Sequence, residues 1–333
     1  MTTSGPSFVQ MLSVPSTVVT SPKLVVRLSW LIAVLALMAA GAGLLWPNQG
    51  DPESVTTVHG QVVELSGGGL YRHDTIFVAA GQRGTDAVTL LLGIPLLVAS
   101  TLSYRRGSQR GALLLTGTLG YFLYVYASMA LGTVVYNELF LAYVVLFSAS
   151  LSAFVLAFAG IDRAAMAARF SADMPRRGPA IFLFASALVT LVVWSTPVID
   201  ALILSTTPAR LDVYSTPVTT ALDLAVITPA AFFAGIVVLR SHPLGYMLAM
   251  SLLVLEVMLA PLLAAQTASQ LWAGVTFPAG QIIGPIVGFA TVALIAIWVL
   301  VAILRNIAEP VPDDRANDYA DRRAGTNSGG AVA

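Results

Sequence analysis

Residues 112–160, ALLLTGTLGYFLYVYASMALGTVVYNELFLAYVVLFSASLSAFVLAFAG, contain two long apolar segments separated by a short polar turn. The turn is Tyr136-Asn137-Glu138. Each segment reaches the ~20 residues that a helix needs to cross the hydrocarbon core of a bilayer. We therefore predict a transmembrane helical hairpin, with its turn on the far side of the membrane from the cytoplasm.

The composition of the chain is that of a membrane protein. Of its 333 residues 57% are hydrophobic and only 10% are charged, against about 25% charged in a typical soluble domain. The mean hydropathy is +0.82. The formal net charge is zero, so we expect no attraction to nucleic acid. Cysteine is absent, and neither a nucleotide-binding glycine pattern nor an HExxH pattern occurs. We therefore predict no cofactor, no metal site and no catalytic residue.

Eight apolar runs of this kind follow one another along the chain, and no ten-residue alternating segments of a barrel appear. Backbone groups in lipid must pair within their own segment, so each run should be a helix. The predicted fold is an all-α, polytopic transmembrane helical bundle with spans at 24–46, 87–104, 112–134, 139–160, 179–204, 219–239, 244–264 and 281–304.

The basic residues predict the orientation of the spans. If the chain starts in the cytoplasm, only Arg72, Arg83 and Arg210 of the 17 basic residues fall in outer segments, which leaves 14 for the inner ones. Such a bias is typical of cytoplasmic loops. We therefore predict a multi-pass protein of the cell (plasma) membrane with both termini in the cytoplasm. Its parts would be an N-terminal segment 1–23, a first helix 24–46, an outer loop domain 47–86, a seven-helix bundle 87–304 and a disordered tail 305–333.

The outer loop contains two local signals of structure. Residues 55–65 are rich in β-branched side chains and predict a short pair of strands. Residues 74–81 predict a short surface helix, with Asp74 as its N-cap.

Acidic residues inside apolar runs are the sharpest functional candidates. Glu256 lies about 18 Å into the seventh run, where burial of a charge is costly and indicates an ion relay or a ligand contact. The alternative is a neutral carboxyl hydrogen-bonded to a neighbouring helix. Asp200 and Asp223 lie near the outer ends of the fifth and sixth runs. They would form an acidic vestibule with Glu256, or else lie in the headgroup region and in a first helical turn, respectively.

Two tyrosines of the third run are the remaining candidates for a binding site. Tyr121 and Tyr124 lie on one helix face with Gly117, Ser128 and Gly132. Such a face predicts either a packed seam or the lining of a pore or ligand pocket.

An internal duplication would explain a similarity between the second and sixth runs. Each has an acid near its start, Asp86 or Asp223, and a central proline, Pro95 or Pro229. Two halves of four spans would make a parallel repeat of the kind found in some transporters. The alternative is that proline is simply tolerated in membrane helices.

Several long phrases carry a resemblance to other proteins. GLYRHDTIFVAAGQRGTDAVTLLLGIPLL, LGYFLYVYASMALGTVVYNELFLAYVVLFSASL and ALDLAVITPA resemble a group of prokaryotic multispan integral membrane proteins of uncharacterised function. The resemblance implies eight spans and no particular activity.

Three functions are compatible with these patterns. The first is the transport or binding of a small solute or ion through the bundle. The second is a non-catalytic sensor or accessory subunit that presents its outer loop to a protein partner of unknown identity. The third, ranked last because histidines are sparse and no paired carboxylates are visible, is an intramembrane enzyme for a lipid-linked substrate.

Overall fold

The computed structural model describes residues 22–208, 211–277 and 279–309. Predictions for residues 1–21, for Arg210 and for the tail beyond residue 309 lie outside the described residues.

The described chain is mainly helical. Two short antiparallel strands, β1 (Glu53–Thr56) and β2 (Val62–Leu65), form the pair of strands that was predicted in the outer loop. Three segments of π-helix interrupt the α-helices: π1 (Thr89–Gly93), π2 (Met129–Thr133) and π3 (Asp223–Ile227). The α-helices are α1 (Pro22–Leu45), α2 (Ile76–Val88), α3 (Ile94–Arg105), α4 (Gln109–Ser128), α5 (Phe140–Ala159), α6 (Arg163–Ala167), α7 (Arg177–Ile203), α8 (Val218–Leu222), α9 (Thr228–Leu239), α10 (Pro243–Trp272) and α11 (Ala279–Arg305).

Eight helical stretches among the described residues are long and apolar enough to cross a membrane, as predicted. The second stretch is continuous from α2 through π1 to α3, and the sixth runs from α8 through π3 to α9. The second begins at Ile76, earlier than the predicted residue 87, so Asp86 lies inside it. The N-cap is Thr75, whose hydroxyl accepts the Val78 N–H, and not Asp74. Asp74 is instead buried, with its carboxyl bonded to other loops.

The loops gather at two opposite ends of the bundle. At one end, called the hairpin end, Asp74 bonds to the N–H of Val135 and to Tyr214, which joins three of the connections. At the other end, called the basic end, Glu309 accepts hydrogen bonds from the first residues of α4, and Phe170 pairs with Ile307.

Two helices lie at the centre of the bundle. Helices α4 and α10 pack against each other, and each also packs against the spans on either side of it in the sequence. Helices α1 and α5 pack together beside α4, while α7 and α11 lie beside α9 and α10. One apolar core is therefore built mainly around α4 and the other around α10.

The second and sixth spans repeat one backbone geometry at a constant offset of 134 residues, since Thr89 corresponds to Asp223 and Pro95 to Pro229. In both spans a five-residue π-helix is followed by a 12-residue α-helix with proline at its second position. Proline lacks an N–H, and its ring clashes with the carbonyl four residues earlier. A π turn accommodates this change in the helix.

The same offset continues through the next turn into α4 and α10. Arg106-Gly107-Ser108 corresponds to Arg240-Ser241-His242, with the middle residue at φ 77° in one turn and 55° in the other. Ser108 and His242 are the N-caps of α4 and α10. Ser241 adopts a left-handed conformation that favours glycine. A shared geometry at this position favours an internal repeat over the alternative that proline is simply tolerated in these helices.

Candidate functional site

Asp86 lies in a closed polar site between α2 and α1. Its side chain is buried, and Oδ2 accepts a 2.7 Å hydrogen bond from the hydroxyl of Tyr71, which is also buried. Gly43 of α1 lies next to the Asp86 carboxyl and the Tyr71 hydroxyl. A Cβ atom there would collide with the Asp86 carboxyl and lie 2.8 Å from the Tyr71 hydroxyl. The lack of a side chain at Gly43 therefore makes room for the pair.

Three tyrosines of α4 and α5 surround this site. Tyr121, Tyr126 and Tyr143 are each at most 2% exposed and lie close enough to Asp86 to interact with it electrostatically. The rings of Tyr126 and Tyr143 stack with centroids 6.3 Å apart, and the Tyr121 hydroxyl is 3.2 Å from that of Thr89. A phenol can donate to a carboxylate or accept from a protonated carboxyl. The surroundings of Asp86 are thus chemically suited to either protonation state.

Asp223 forms a second acidic site in the other half of the chain. It is the first residue of π3, and its carboxyl faces the Tyr124 hydroxyl of α4 and the Trp194 indole of α7. Asp223 and Tyr124, which the sequence placed in two different candidate sites, are therefore brought together.

The two acidic sites are related by the repeat. By the offset of 134 residues, Asp223 occupies the position of Thr89, and Asp86 occupies that of Thr220. Each span thus carries one aspartate and one threonine three residues apart, in opposite order. Residues three apart lie on the same side of a helix. In each span the carboxyl and the hydroxyl therefore lie on the same side of the helix.

Helix α4 connects the two sites. Tyr121, near Asp86, and Tyr124, facing Asp223, lie one helical turn apart on it. The sequence predicted that these tyrosines share a face, and the structure adds that each of them interacts with a different acid. Two protonatable carboxyls, each near a phenol hydroxyl of the same helix, can bind a proton or a small cation.

Glu256 is separate from the predicted vestibule. It is buried in α10, where Oε1 accepts a hydrogen bond from Ser186 of α7 and Oε2 has no partner among the described residues. Within the described chain, neither Asp200 nor Asp223 is among its contacts. Asp200 is exposed near the end of α7 and makes no side-chain hydrogen bond to another described residue. Glu256 thus occupies a seam between helices, which was the alternative prediction for it.

Asp74 joins the loops at the hairpin end. Its Oδ1 accepts a 2.8 Å hydrogen bond from the N–H of Val135 and a 2.7 Å bond from the Tyr214 hydroxyl. Its Oδ2 is buried with no partner among the described residues. Burial raises the pKa of Asp74 to about 7, although both hydrogen bonds act in the opposite direction. Burial and the nearby carboxyl also raise the pKa of Tyr214, whose hydroxyl therefore remains a donor.

The raised pKa of Asp74 predicts a pH-dependent stability. Its ordinary value of 3.8 applies to the unfolded chain, so the folded state binds the proton more tightly. The contribution of Asp74 to stability should be greatest below about pH 4, should fall as the pH rises to about 7, and should then level off. Thermal unfolding in detergent between pH 5 and pH 8 measures this slope. We expect Asp74→Asn to flatten it, whereas Asp173→Asn, at an exposed position, should keep the wild-type slope. Equal slopes in all three proteins would contradict the prediction.

The Asp86 site includes residues that the sequence predictions did not name as candidates. Asp86 was noted only as a mark of the possible repeat, because the predicted loop extended to it. Tyr71 was not identified, since no periodicity links a loop tyrosine to an acid 15 residues later. The prolines Pro95 and Pro229 were the available signal, because both acids lie shortly before them.

Within the described residues, the fold is a bundle with eight long apolar helices, and it contains two acid–tyrosine sites, one around Asp86 and one around Asp223. No group of three histidine, aspartate or glutamate side chains within the described ranges could hold a metal ion. The chain matches no known family model, no curated protein and no solved structure.

Proposed function

We propose that the eight helices cross the cell membrane, with the basic end and both termini in the cytoplasm. Large apolar side chains cover the outward faces of α7 and α11, among them Leu188, Val192, Leu294 and Trp298, each at least half exposed. Water solvates such apolar surfaces poorly, whereas lipid solvates them well. The concentration of arginine at the basic end supports its cytoplasmic placement.

Within that membrane, the chain transports protons or a small cation through the bundle, alone or together with a small solute. The observation that carries this proposal is the pair of carboxyls of Asp86, one turn before π1, and Asp223, at the start of π3, each of which interacts with a tyrosine of α4. Acids within membrane spans are costly and commonly mark ion pathways. Sites between internal repeats, formed at interrupted helices, are also typical of secondary transporters.

The position of Asp86 along its helix agrees with such a role. Asp86 precedes Arg105 by 19 residues, which places it about 28 Å from the basic end at 1.5 Å per residue. The two acids would therefore lie in the outer part of the membrane. Glu256 is about 20 Å beyond the start of α10 at the same rise per residue, so it lies deeper. We assign the outer step to Asp86 and Asp223, whereas Glu256, bonded to Ser186 in its helix seam, takes no step in the proposed pathway.

Proton flux into vesicles tests the proposal. The purified chain is reconstituted into liposomes that contain a pH-sensitive dye, and a potassium diffusion potential drives proton entry. Asp86→Asn and Asp223→Asn should each slow entry by about a hundredfold, the lower end of what a positioned proton-transfer group contributes. Glu64→Gln, which changes an exposed acid on β2, should leave the rate unchanged.

Two outcomes would contradict the proposal. Wild-type vesicles that take up protons no faster than empty ones would remove proton transport and would favour the sensor or accessory alternative. Wild-type rates in both aspartate variants would remove these residues from the pathway.

A further inference from the structure

A groove of about 740 Å³ lies at the basic end, far from the acid–tyrosine sites. It runs between α1 and the end of α3, and its walls include Lys23, Val26, Arg27, Trp30, Tyr104 and Arg105. The four α1 residues are spaced so that they share one face of the helix. Trp30 is 38% exposed, so a molecule in the groove can reach its ring.

All charged groups that line the groove are positive. None of Lys23, Arg27 and Arg105 pairs with an acidic side chain in the described part of the chain, and no acid lines the groove. Arg110, on the next helix, differs because it bonds to the Ile307 carbonyl and pairs with Glu309. The groove therefore has the electrostatic character of an anion site.

The groove also has apolar walls, formed by Val26, Trp30 and the ring of Tyr104. An occupant that fits both properties has a negative head and an apolar chain. We infer that the groove binds an anionic phospholipid, whose headgroup phosphate lies between Lys23, Arg27 and Arg105 and whose acyl chain follows α1 past Trp30. Basic pockets between helices at the cytoplasmic side suit this chemistry. The inference rests on the membrane placement proposed above.

Quenching of Trp30 by brominated lipids tests the inference in reconstituted full-length protein. The Trp30 signal is the emission of the wild type minus that of Trp30→Phe. At equal mole fraction, brominated phosphatidylglycerol should quench it with an apparent affinity on the order of tenfold higher than brominated phosphatidylcholine. The combined variant Lys23→Gln, Arg27→Gln, Arg105→Gln should lose this preference. A control with the same change in charge, Arg163→Gln, Arg177→Gln, Arg240→Gln, should keep it, because these exposed residues do not line the groove.

Native mass spectrometry of the detergent-purified chain gives a second readout that does not depend on Trp30→Phe. A retained phosphatidylglycerol should be present on the wild type and on the control, and absent from the groove variant. Equal quenching by the two lipids, or equal retention in all proteins, would overturn the lipid site. Absence of quenching by either lipid would instead contradict the membrane placement itself.

Discussion

Gly84→Ala should be among the most destabilising substitutions of a single methyl group in this chain. Gly84 of α2 faces the backbone of α10, and a Cβ atom there would lie 2.5 Å from the Cα of Gln266 and 2.6 Å from the carbonyl carbon of Ala265. Backbone atoms cannot turn away as a side chain can, so α2 and α10 would have to separate. The separation would also strain the 2.9 Å hydrogen bond from Gln266 to Thr85.

The expected magnitude follows from two opposing effects. Overpacking costs about 1–3 kcal/mol, and occasionally more where the neighbours cannot move. Alanine has a higher helix propensity than glycine, so the same replacement stabilises the helix by about 1 kcal/mol. We expect a net loss of about 2 kcal/mol, measured as a lower midpoint of thermal unfolding by circular dichroism in detergent.

Gly288→Ala is the matched control for Gly84→Ala. Gly288 lies in α11, and a Cβ atom there would meet no other atom within 4 Å. Only the gain in helix propensity remains, so this variant should melt at or slightly above the wild-type temperature. If Gly84→Ala melted as high as Gly288→Ala, the close packing of α2 on α10 would be wrong.

The second half of α2 shows where hydropathy fails as a guide to this fold. Residues 82–86 are Gln-Arg-Gly-Thr-Asp, which look like a loop to any measure of apolar character. In the structure this segment is helical, because Gly84 and Thr85 fit against Gln266 of α10 and Asp86 has Tyr71 as a partner. The eight apolar runs could be located from the sequence because each consists of residues that favour lipid or a helical core. The polar turns of a helix could not be located in this way, because the residues that they contact lie far away in the chain.

The repeat and the acid sites were only partly predictable for a similar reason. An aspartate that precedes a proline was visible in both the second and the sixth runs, but the spacing between the two residues differs and the two halves share little else in residue type. The exchange of aspartate and threonine between Asp86–Thr89 and Thr220–Asp223 hides the relation from a residue-by-residue comparison. Backbone geometry reveals it, since a π turn before proline and a left-handed residue before each helix N-cap recur at one spacing.

Gly43→Ala should destabilise the chain because its new methyl group meets side chains, whereas the methyl group of Gly84→Ala meets backbone atoms. The new methyl group would collide with the Asp86 carboxyl and crowd the Tyr71 hydroxyl, so the buried hydrogen bond between them must lengthen or break. An overpacked core costs about 1–3 kcal/mol, and a buried carboxyl that loses its donor costs a comparable amount. Gly41→Ala, two residues earlier in α1, is the control because a Cβ atom there meets nothing within 4 Å. The midpoint of thermal unfolding should fall only for Gly43→Ala.

A double-mutant cycle with Asp86→Ala shows whether the collision is the cause. Without the carboxyl the space beside Gly43 opens, so Gly43→Ala should cost about 1–2 kcal/mol less in the Asp86→Ala background than in the wild type. The Gly84→Ala penalty should be the same in both backgrounds, because the atoms it meets belong to the backbone of α10. If the cost of Gly43→Ala were unchanged by Asp86→Ala, α1 would not lie against the Asp86–Tyr71 pair. The Asp86 site would then be open on that side.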